Sequence, residues 1–216
     1  MTLPLPPAGE ATRIVLVRHA EPDPAVRGRC YGALDVSLSP EGRRRARVLA
    51  EALEGHSLAA VYASPRRRAL ETARPIAAAH GLTTVVDEDL RELDFGELEG
   101  RTYEEIAVAH PALYAAWMHQ PTEVRFPGGE SYQDLRRRVS RALAQLRARH
   151  TGDAVAVVAH GGVNRVVLAE ALALPPEAVF RLGQDPGAVS VVDWMADVPL
   201  VRLVNAQPGA GVERDT

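Results

Sequence analysis

The sequence predicts an α/β fold, a three-layer sandwich in which helices flank both faces of a mainly parallel central sheet. Two β-branched apolar runs, at residues 14–17 and 154–159, are typical of strands that are buried on both faces. Helical patterns separate these runs from the other strand candidates. Strands that alternate with helices in this way indicate a parallel sheet that is covered on both sides.

The remaining strand candidates are short apolar segments of ordinary strand length. They lie at residues 59–63, 83–86, 189–194 and 200–204.

Five helices are predicted between the strands. Ser39, followed by Glu41, is a capped start, and Gly55 follows the end of the same helix. Pro65 suits the first turn of the second helix, and Pro175 stops the last one. The predicted helices cover residues 39–54, 65–80, 102–117, 131–149 and 162–172.

A chain of 216 residues is long enough for one well-packed domain and short for two. Its hydrophobic fraction of 46% and charged fraction of 25% are ordinary for a globular protein, which argues against general disorder and against a membrane bundle. We expect one domain over residues 1–216, with disordered ends near 1–11 and 207–216.

Charge and composition exclude several function classes. The net charge of −3 gives no long-range positive field for nucleic acid or for an anionic membrane surface. All 25 basic residues are Arg, so a Schiff-base lysine and the lysine of a nucleotide-binding P-loop are excluded. The lone Cys30 cannot form an internal disulfide, and no signal peptide or membrane-length segment is visible, so we expect a cytoplasmic protein.

Two histidines directly follow strand candidates. His19 ends the first strand and His160 follows a later one, each leading into small residues that let the backbone approach a ligand. In an open α/β sheet, reactive groups collect at the carboxyl ends of the strands. A single histidine there is more often structural, but the pair favours a catalytic site.

Other reactive patterns are weaker. The remaining histidines lack metal-ligand spacing and there is no cysteine pair, so we expect no metal site. Ser64 lacks the G-x-S-x-G setting of a serine hydrolase. The arginine runs at 43–45 and 136–138 lie within predicted helices, and we expect them to be surface charge. The run at 66–68 differs because it begins a helix directly after a strand, where an anion is favoured.

Five segments resemble, in order, the motifs of the histidine phosphatase superfamily, the phosphoglycerate-mutase-like proteins, and are close in pattern to α-ribazole phosphatases. The segments are LVRHAE at 16–21, SPRRRALETA at 64–73, LRELDFGELEG at 90–100, PGGES at 127–131 and AHGG at 159–162. They cover roughly residues 13 to 175, and five ordered motifs are far more specific than one Arg-His pair.

The resemblance implies a metal-independent phosphatase that needs no cofactor. In it His19 is the nucleophile, Arg18 and Arg68 hold the phosphoryl oxygens, His160 donates a hydrogen bond to them and Glu92 is the general acid. The chemistry agrees, because phosphoryl transfer needs positive charge around three oxygens and an in-line nucleophile. An alkoxide leaving group also needs a proton from a carboxyl group.

Further substrate contacts are expected from Arg29, Tyr31 and Gly32 in the loop after the first motif, and from Gly161. Two positions depart from the family pattern. Ala20 stands where a glycine is usual, and Ala25 stands where many members carry an asparagine that touches the phosphoryl group.

The predicted function is hydrolysis of a small-molecule phosphate ester. A cofactor-dependent phosphoglycerate mutase and an inactive phosphate-binding regulatory module are the alternatives. All five motif side chains are present, which argues against the inactive module. The interval from 93 to 126 holds only two arginines, which argues against a mutase lid. A homodimer is a common default for such proteins.

Overall fold

The computed structural model describes residues 11–209. Within them, six strands form a single sheet in the order β3-β2-β4-β1-β5-β6. The strands are β1 (Thr12–Arg18), β2 (Ala60–Ala63), β3 (Thr84–Val86), β4 (Ala154–Ala159), β5 (Val189–Met195) and β6 (Val198–Ala206). Every strand candidate of the sequence is therefore a strand.

The four strands from β3 to β1 pair in parallel, and β5 and β6 are antiparallel to their neighbours. The predicted mainly parallel sheet is confirmed. In the central pair, Arg18 at the end of β1 lies opposite Ala159 at the end of β4. The residues that follow these two strands, His19 and His160, therefore start from the same edge of the sheet.

Six helices lie within the described residues, one more than the sequence predicts. They are α1 (Pro40–Leu53), α2 (Arg67–Ala79), α3 (Tyr103–Ala109), α4 (Pro111–His119), α5 (Tyr132–Arg149) and α6 (Gly161–Ala171). The predicted helix at 102–117 is wrong because Pro111 divides it. Proline lacks an N–H to donate and disfavours helical backbone in the residue before it, so α3 ends and α4 begins there.

The second helix also starts later than predicted. Pro65 does not occupy its first turn, because Arg66 has extended backbone (φ −66°, ψ 135°) and the helix begins at Arg67. The segment from Ser64 to Arg66 is thus a short connection between β2 and α2.

Alternate side chains of the central strands fill two separate cores. Ile14 and Leu16 of β1 pack on one face of the sheet with α5 and α6. Val15 and Val17 pack on the other face with α1 and α2. This alternation confirms the three-layer arrangement, because helices cover both faces of the sheet.

A third, smaller hydrophobic cluster lies apart from both cores. Ile106 of α3 and Trp117 of α4 pack there on Leu98 and Phe126. The two short helices thus have their own support, beside the edge of the sheet where the parallel strands end.

The expected disorder near the termini falls mostly on residues 1–10 and 210–216, which lie outside the described residues. At the start of the second expected segment, Gln207 and Pro208 accept hydrogen bonds from the Arg45 guanidinium. Arg45 is accordingly half-buried and is not the surface charge that the sequence predicts for the run at 43–45. No helix of the described part is long and apolar enough to cross a membrane.

Candidate active site

A cavity of about 160 Å³ opens at the carboxyl ends of β1 and β4. His19 and Gly161 lie in its wall. Its charged lining residues are Arg18, Arg29, Arg68, Arg165 and Glu92. Four positive charges against one carboxylate make the cavity suitable for an anion.

His19 is buried, with 2% of its surface exposed. Its Nδ1 lies 2.8 Å from the carbonyl oxygen of Ala20. A carbonyl oxygen only accepts, so Nδ1 carries the proton and Nε2 keeps its lone pair. Burial, together with the charges of Arg68 and Arg18, holds the pKa of His19 well below its usual range. At neutral pH the side chain is therefore an uncharged imidazole with a free nucleophilic nitrogen.

His160 is fully buried, and its ring centroid lies 5.2 Å from that of His19. Its Nε2 lies 2.8 Å from the hydroxyl of Ser64, which also accepts a hydrogen bond from the backbone N–H of Arg66. The Ser64 proton can point at Nε2, and in that tautomer the proton of His160 is on Nδ1. Among residues 11–209 this buried Nδ1 has no hydrogen-bonding partner.

Arg18 and Arg68 are held by neutral acceptors. Arg68 donates to the carbonyl oxygens of Leu34 (2.7 Å) and Gly32 (3.0 Å), and Arg18 donates to the carbonyl oxygen of Gln184. Neither guanidinium has a carboxylate within 4 Å among the described residues. The Nε atoms of both are buried and lack an acceptor in the same part of the chain.

Glu92 enters the cavity from the connection that follows β3. Its two carboxyl oxygens accept hydrogen bonds from the backbone N–H groups of Leu93 (2.8 Å) and Gly162 (3.0 Å). A Cβ at Gly162 would lie 2.3 Å from Glu92 Oε1, so a larger residue at this position would displace the carboxyl group. The first turn of α6 and the carboxyl group are thereby fixed against each other.

Arg138 holds the connection that carries Glu92, and the expectation that it is surface charge is wrong. Its side chain on α5 is 6% exposed and forms two hydrogen bonds with the Glu130 carboxylate, at 2.9 and 2.8 Å. The same guanidinium donates to the carbonyl oxygens of Asp89 and Glu92, both at 2.9 Å. Sequence alone does not reveal this, because three consecutive arginines on a helix look alike until the packed face is known.

Six of the predicted substrate contacts lie in the cavity wall, whereas His160, which is fully buried beside His19, is not a lining residue. The Arg29 guanidinium donates to the carbonyl oxygen of Gly100 (2.8 Å) and lies 3.6 Å from the Glu105 carboxylate. Tyr31 lies under the Arg68 guanidinium, 5.1 Å from its ring centroid. The carbonyl oxygen of Gly32 accepts a hydrogen bond from the same Arg68 guanidinium.

Gly161, another of the predicted contacts, begins α6. The N-terminus of this helix therefore faces the cavity, where its backbone N–H groups favour an anion.

The two alanines that depart from the family pattern, Ala20 and Ala25, lie in different environments. Ala20 is fully buried, and its N–H donates to the hydroxyl of Thr72 at 3.0 Å, so the methyl group is accommodated. Ala25 is exposed in a short 3₁₀ turn at Pro24–Val26 and does not line the cavity.

Sequence reasoning missed four cavity residues, namely Cys30, Phe95, Tyr103 and Arg165. Ser64, which contacts His160, was also missed. Its position directly after β2, which pairs with β4, was a usable signal, because that edge of the sheet also carries His160. Arg165 lies in the second turn of α6 and carries no such signal.

Two alternative chemistries find no support in the cavity. Burial, followed by the nearby Glu99 charge, raises the pKa of the Cys30 thiol to about 12, so it is not a thiolate nucleophile. Within residues 11–209 no group of three or more His, Cys, Asp or Glu side chains is placed to hold a metal ion.

Replacing Arg138 by Met should destabilise the protein by about 3 kcal/mol, because the partly buried Glu130 carboxylate loses its partner. It should also lower activity, since the Glu92 connection loses its anchor. Urea unfolding and initial rates measure the two effects. Arg137→Met is the matched control, because that exposed side chain is expected to change stability by no more than about 0.5 kcal/mol. Equal losses for the two variants would contradict the anchoring role.

The buried histidines should make the protein less stable as the pH falls. The folded-state pKa values of His19 and His160 lie well below 6.5, so below that pH the unfolded chain binds protons that the native state does not. Each such group lowers the free energy of unfolding by about 1.4 kcal/mol per pH unit. Urea unfolding between pH 6.5 and 5.0 should therefore show that the free energy of unfolding falls less steeply with pH in His160→Gln than in the wild type. Above pH 7.5 the two proteins should have the same dependence on pH. The same dependence below pH 6 would contradict the lowered pKa of His160 in the folded protein.

Comparisons with known proteins agree with this geometry. The family model of the histidine phosphatase superfamily (branch 1) matches residues 14–207. Phosphoserine phosphatase 1 of Hydrogenobacter thermophilus is 33% identical over 180 residues, which cover 83% of this chain and 85% of that protein. The chain spans 54% of the length of its relatives in Mycobacterium bovis and Mycobacterium tuberculosis, to which it is 37% identical over 199 residues, or 91% of this chain.

Two solved structures share the fold over nearly their whole length. Mycobacterial glucosyl-3-phosphoglycerate phosphatase has a TM-score of 0.83 at 31% identity, covering 91% of this chain and 99% of that chain. The α-ribazole phosphatase from Shigella flexneri has a TM-score of 0.82 at 27% identity, covering 90% and 96%. The resemblance carried by the five motifs is confirmed, and the chain belongs to the histidine phosphatase superfamily.

Proposed function

We propose that the protein is a phosphatase that hydrolyses a small phosphate monoester through a phosphohistidine on His19. One observation carries the proposal. Three buried donors beside His19, namely Arg18 Nε, Arg68 Nε and His160 Nδ1, have no acceptor among residues 11–209. An unpaired buried donor is costly. A phosphoryl group in the cavity supplies three oxygens for these three donors, which accounts for their arrangement.

The residues then act in two steps. In the first, Nε2 of His19 attacks phosphorus, the ester P–O bond breaks and Glu92 gives its proton to the leaving oxygen. In the second, the Glu92 carboxylate takes a proton from water, the water oxygen attacks phosphorus and the P–N bond breaks, which releases inorganic phosphate.

Relatives support the reaction class. The names of the Hydrogenobacter protein and of both solved structures describe phosphatases of small phosphate esters. We also propose one catalytic domain, because the family match runs from 14 to 207 and every described strand enters one sheet. The cytoplasmic location and the homodimer stay predictions.

The mutase alternative is weaker. A mutase must shield its phosphoenzyme from water and hold a second acidic group while the substrate turns. In the interval 93–126, which contains α3 and α4, the two arginines do not reach the cavity. Arg101 is exposed, and Arg125 forms an ion pair with Asp134. Transfer to water is the outcome that this arrangement favours.

The nucleophile is tested by trapping the intermediate. After rapid mixing with ³²P-labelled substrate and quenching at alkaline pH, the wild type should carry an acid-labile, base-stable phosphoryl group. His19→Ala should carry none and should release no phosphate. His119→Ala, which changes an exposed histidine on α4, is the control and should label like the wild type. Turnover by His19→Ala would require a different nucleophile.

The role of Glu92 is tested by the leaving group. Glu92→Gln keeps the shape of the side chain but removes the transferable proton, so phosphoenzyme formation from an alkyl phosphate should slow by about two to four orders of magnitude. p-Nitrophenyl phosphate has a good leaving group, so the rate of phosphoenzyme formation from it should fall much less. Equal losses in single-turnover assays would mean that Glu92 only positions the substrate.

A further inference from the structure

Arg165 is a charged cavity residue that the two-step reaction does not use. Its Nε donates to the carbonyl oxygen of Leu182 at 2.9 Å, and its guanidinium lies 5.5 Å from the Phe180 ring centroid. These contacts fix the side chain in place. Its two terminal nitrogens have no hydrogen-bonding partner within residues 11–209, so the donors facing the cavity are free.

The free end of Arg165 lies beside the phosphate-binding groups. A Cβ at Gly161 would lie 3.2 Å from Arg165 Nη1 and 3.7 Å from Arg18 Nε, so the two guanidinium groups flank this glycine. A ligand whose phosphoryl group contacts Arg18 Nε therefore also lies close to Arg165 Nη1.

The charge balance of the cavity points to a second acidic group. Arg29 already has a carboxylate neighbour, and a phosphate dianion matches the charges of Arg18 and Arg68. Glu92 is the carboxylate near Arg165, but it is neutral while it carries the proton for the leaving group. At the moment of attack Arg165 is thus a partly buried positive charge without a counter-charge, which is unfavourable unless the substrate supplies one.

We propose that Arg165 binds a carboxylate on the leaving group, so that the preferred substrates are phosphate esters of small hydroxy acids. Guanidinium and carboxylate form paired hydrogen bonds of good geometry, and such charged pairs are strong in a partly dehydrated site. This inference rests on the proposed phosphatase function, and it adds to that function the chemical class of the leaving group.

The named substrates of two relatives have this chemistry. Phosphoserine and glucosyl-3-phosphoglycerate both carry a carboxylate close to the ester oxygen, whereas α-ribazole phosphate carries none. The position of Arg165 favours a substrate that carries a carboxylate for this chain.

A second role for Arg165 has to be separated from this one. Glu92 lies near Arg165, and the alternative is that Arg165 only positions this general acid. In that case, removing the Arg165 side chain should lower the rate of hydrolysis of every alkyl phosphate by the same factor. Carboxylate binding instead predicts that kcat/KM falls only for substrates that carry a carboxylate.

Two substrates that differ by a single group provide the test. O-Phospho-L-serine and O-phosphoethanolamine have the same ester and the same ammonium group, and only the first has the carboxylate. The wild type should have a kcat/KM for phosphoserine that is higher by about tenfold to a hundredfold, which is the value of one charged hydrogen-bonded pair. A wild-type ratio of one or below would overturn the proposal without any variant.

Arg165→Met should bring the ratio towards one by lowering the phosphoserine value, with phosphoethanolamine and p-nitrophenyl phosphate nearly unchanged. Arg181→Met, which removes an exposed arginine of the neighbouring 3₁₀ turn, is the control for net charge and should keep the ratio. A parallel fall for all substrates in Arg165→Met would overturn carboxylate binding. Failure of the wild type to hydrolyse any of the three esters would instead contradict the phosphatase function itself.

Discussion

The parallel pairing of β1 with β4 is the constraint on which the site depends. It places Arg18 opposite Ala159, so that the next residues of both strands, His19 and His160, leave the sheet together. The β2 strand pairs with β4 on its other side and adds Ser64 at the same edge. Two imidazoles and a hydroxyl are therefore brought together by backbone hydrogen bonds of the buried core. Their geometry is as rigid as the sheet, which suits a reaction that depends on an in-line nucleophile.

The arginines beside these histidines are bound by neutral groups. Backbone carbonyl oxygens of Gly32, Leu34 and Gln184 accept from Arg68 and Arg18. A carboxylate in their place would neutralise the charge, whereas a carbonyl dipole fixes the guanidinium and leaves its full charge for a ligand. Burial, together with the same positive charges, holds the pKa of His19 well below its usual range. The same arrangement therefore makes the cavity suitable for an anion and leaves the His19 imidazole uncharged.

The fold and the centre of the site could be predicted from the sequence because local patterns determine them. Strands, most helices and the two histidines at strand ends follow from hydrophobic runs and from motif order. The motifs also named Glu92, whose side chain does reach the cavity. Contacts between distant segments could not be predicted. Arg138 resembles its exposed neighbours in the sequence, and the contact between Arg165 Nε and the carbonyl oxygen of Leu182 joins residues 17 positions apart.

The site rests on two kinds of support. His19 and His160 directly follow strands of the sheet, and Arg68 and Arg165 lie on helices α2 and α6, which start at the same edge. Connections supply the rest, since Glu92 lies on a segment that Arg138 holds, and the carbonyl oxygens that fix Arg18, Arg68 and Arg165 belong to loops. Connections tolerate change in length and sequence better than a buried sheet does. A rigid sheet edge surrounded by variable connections fits a fold that is shared at TM-scores above 0.8 by proteins whose names give different substrates.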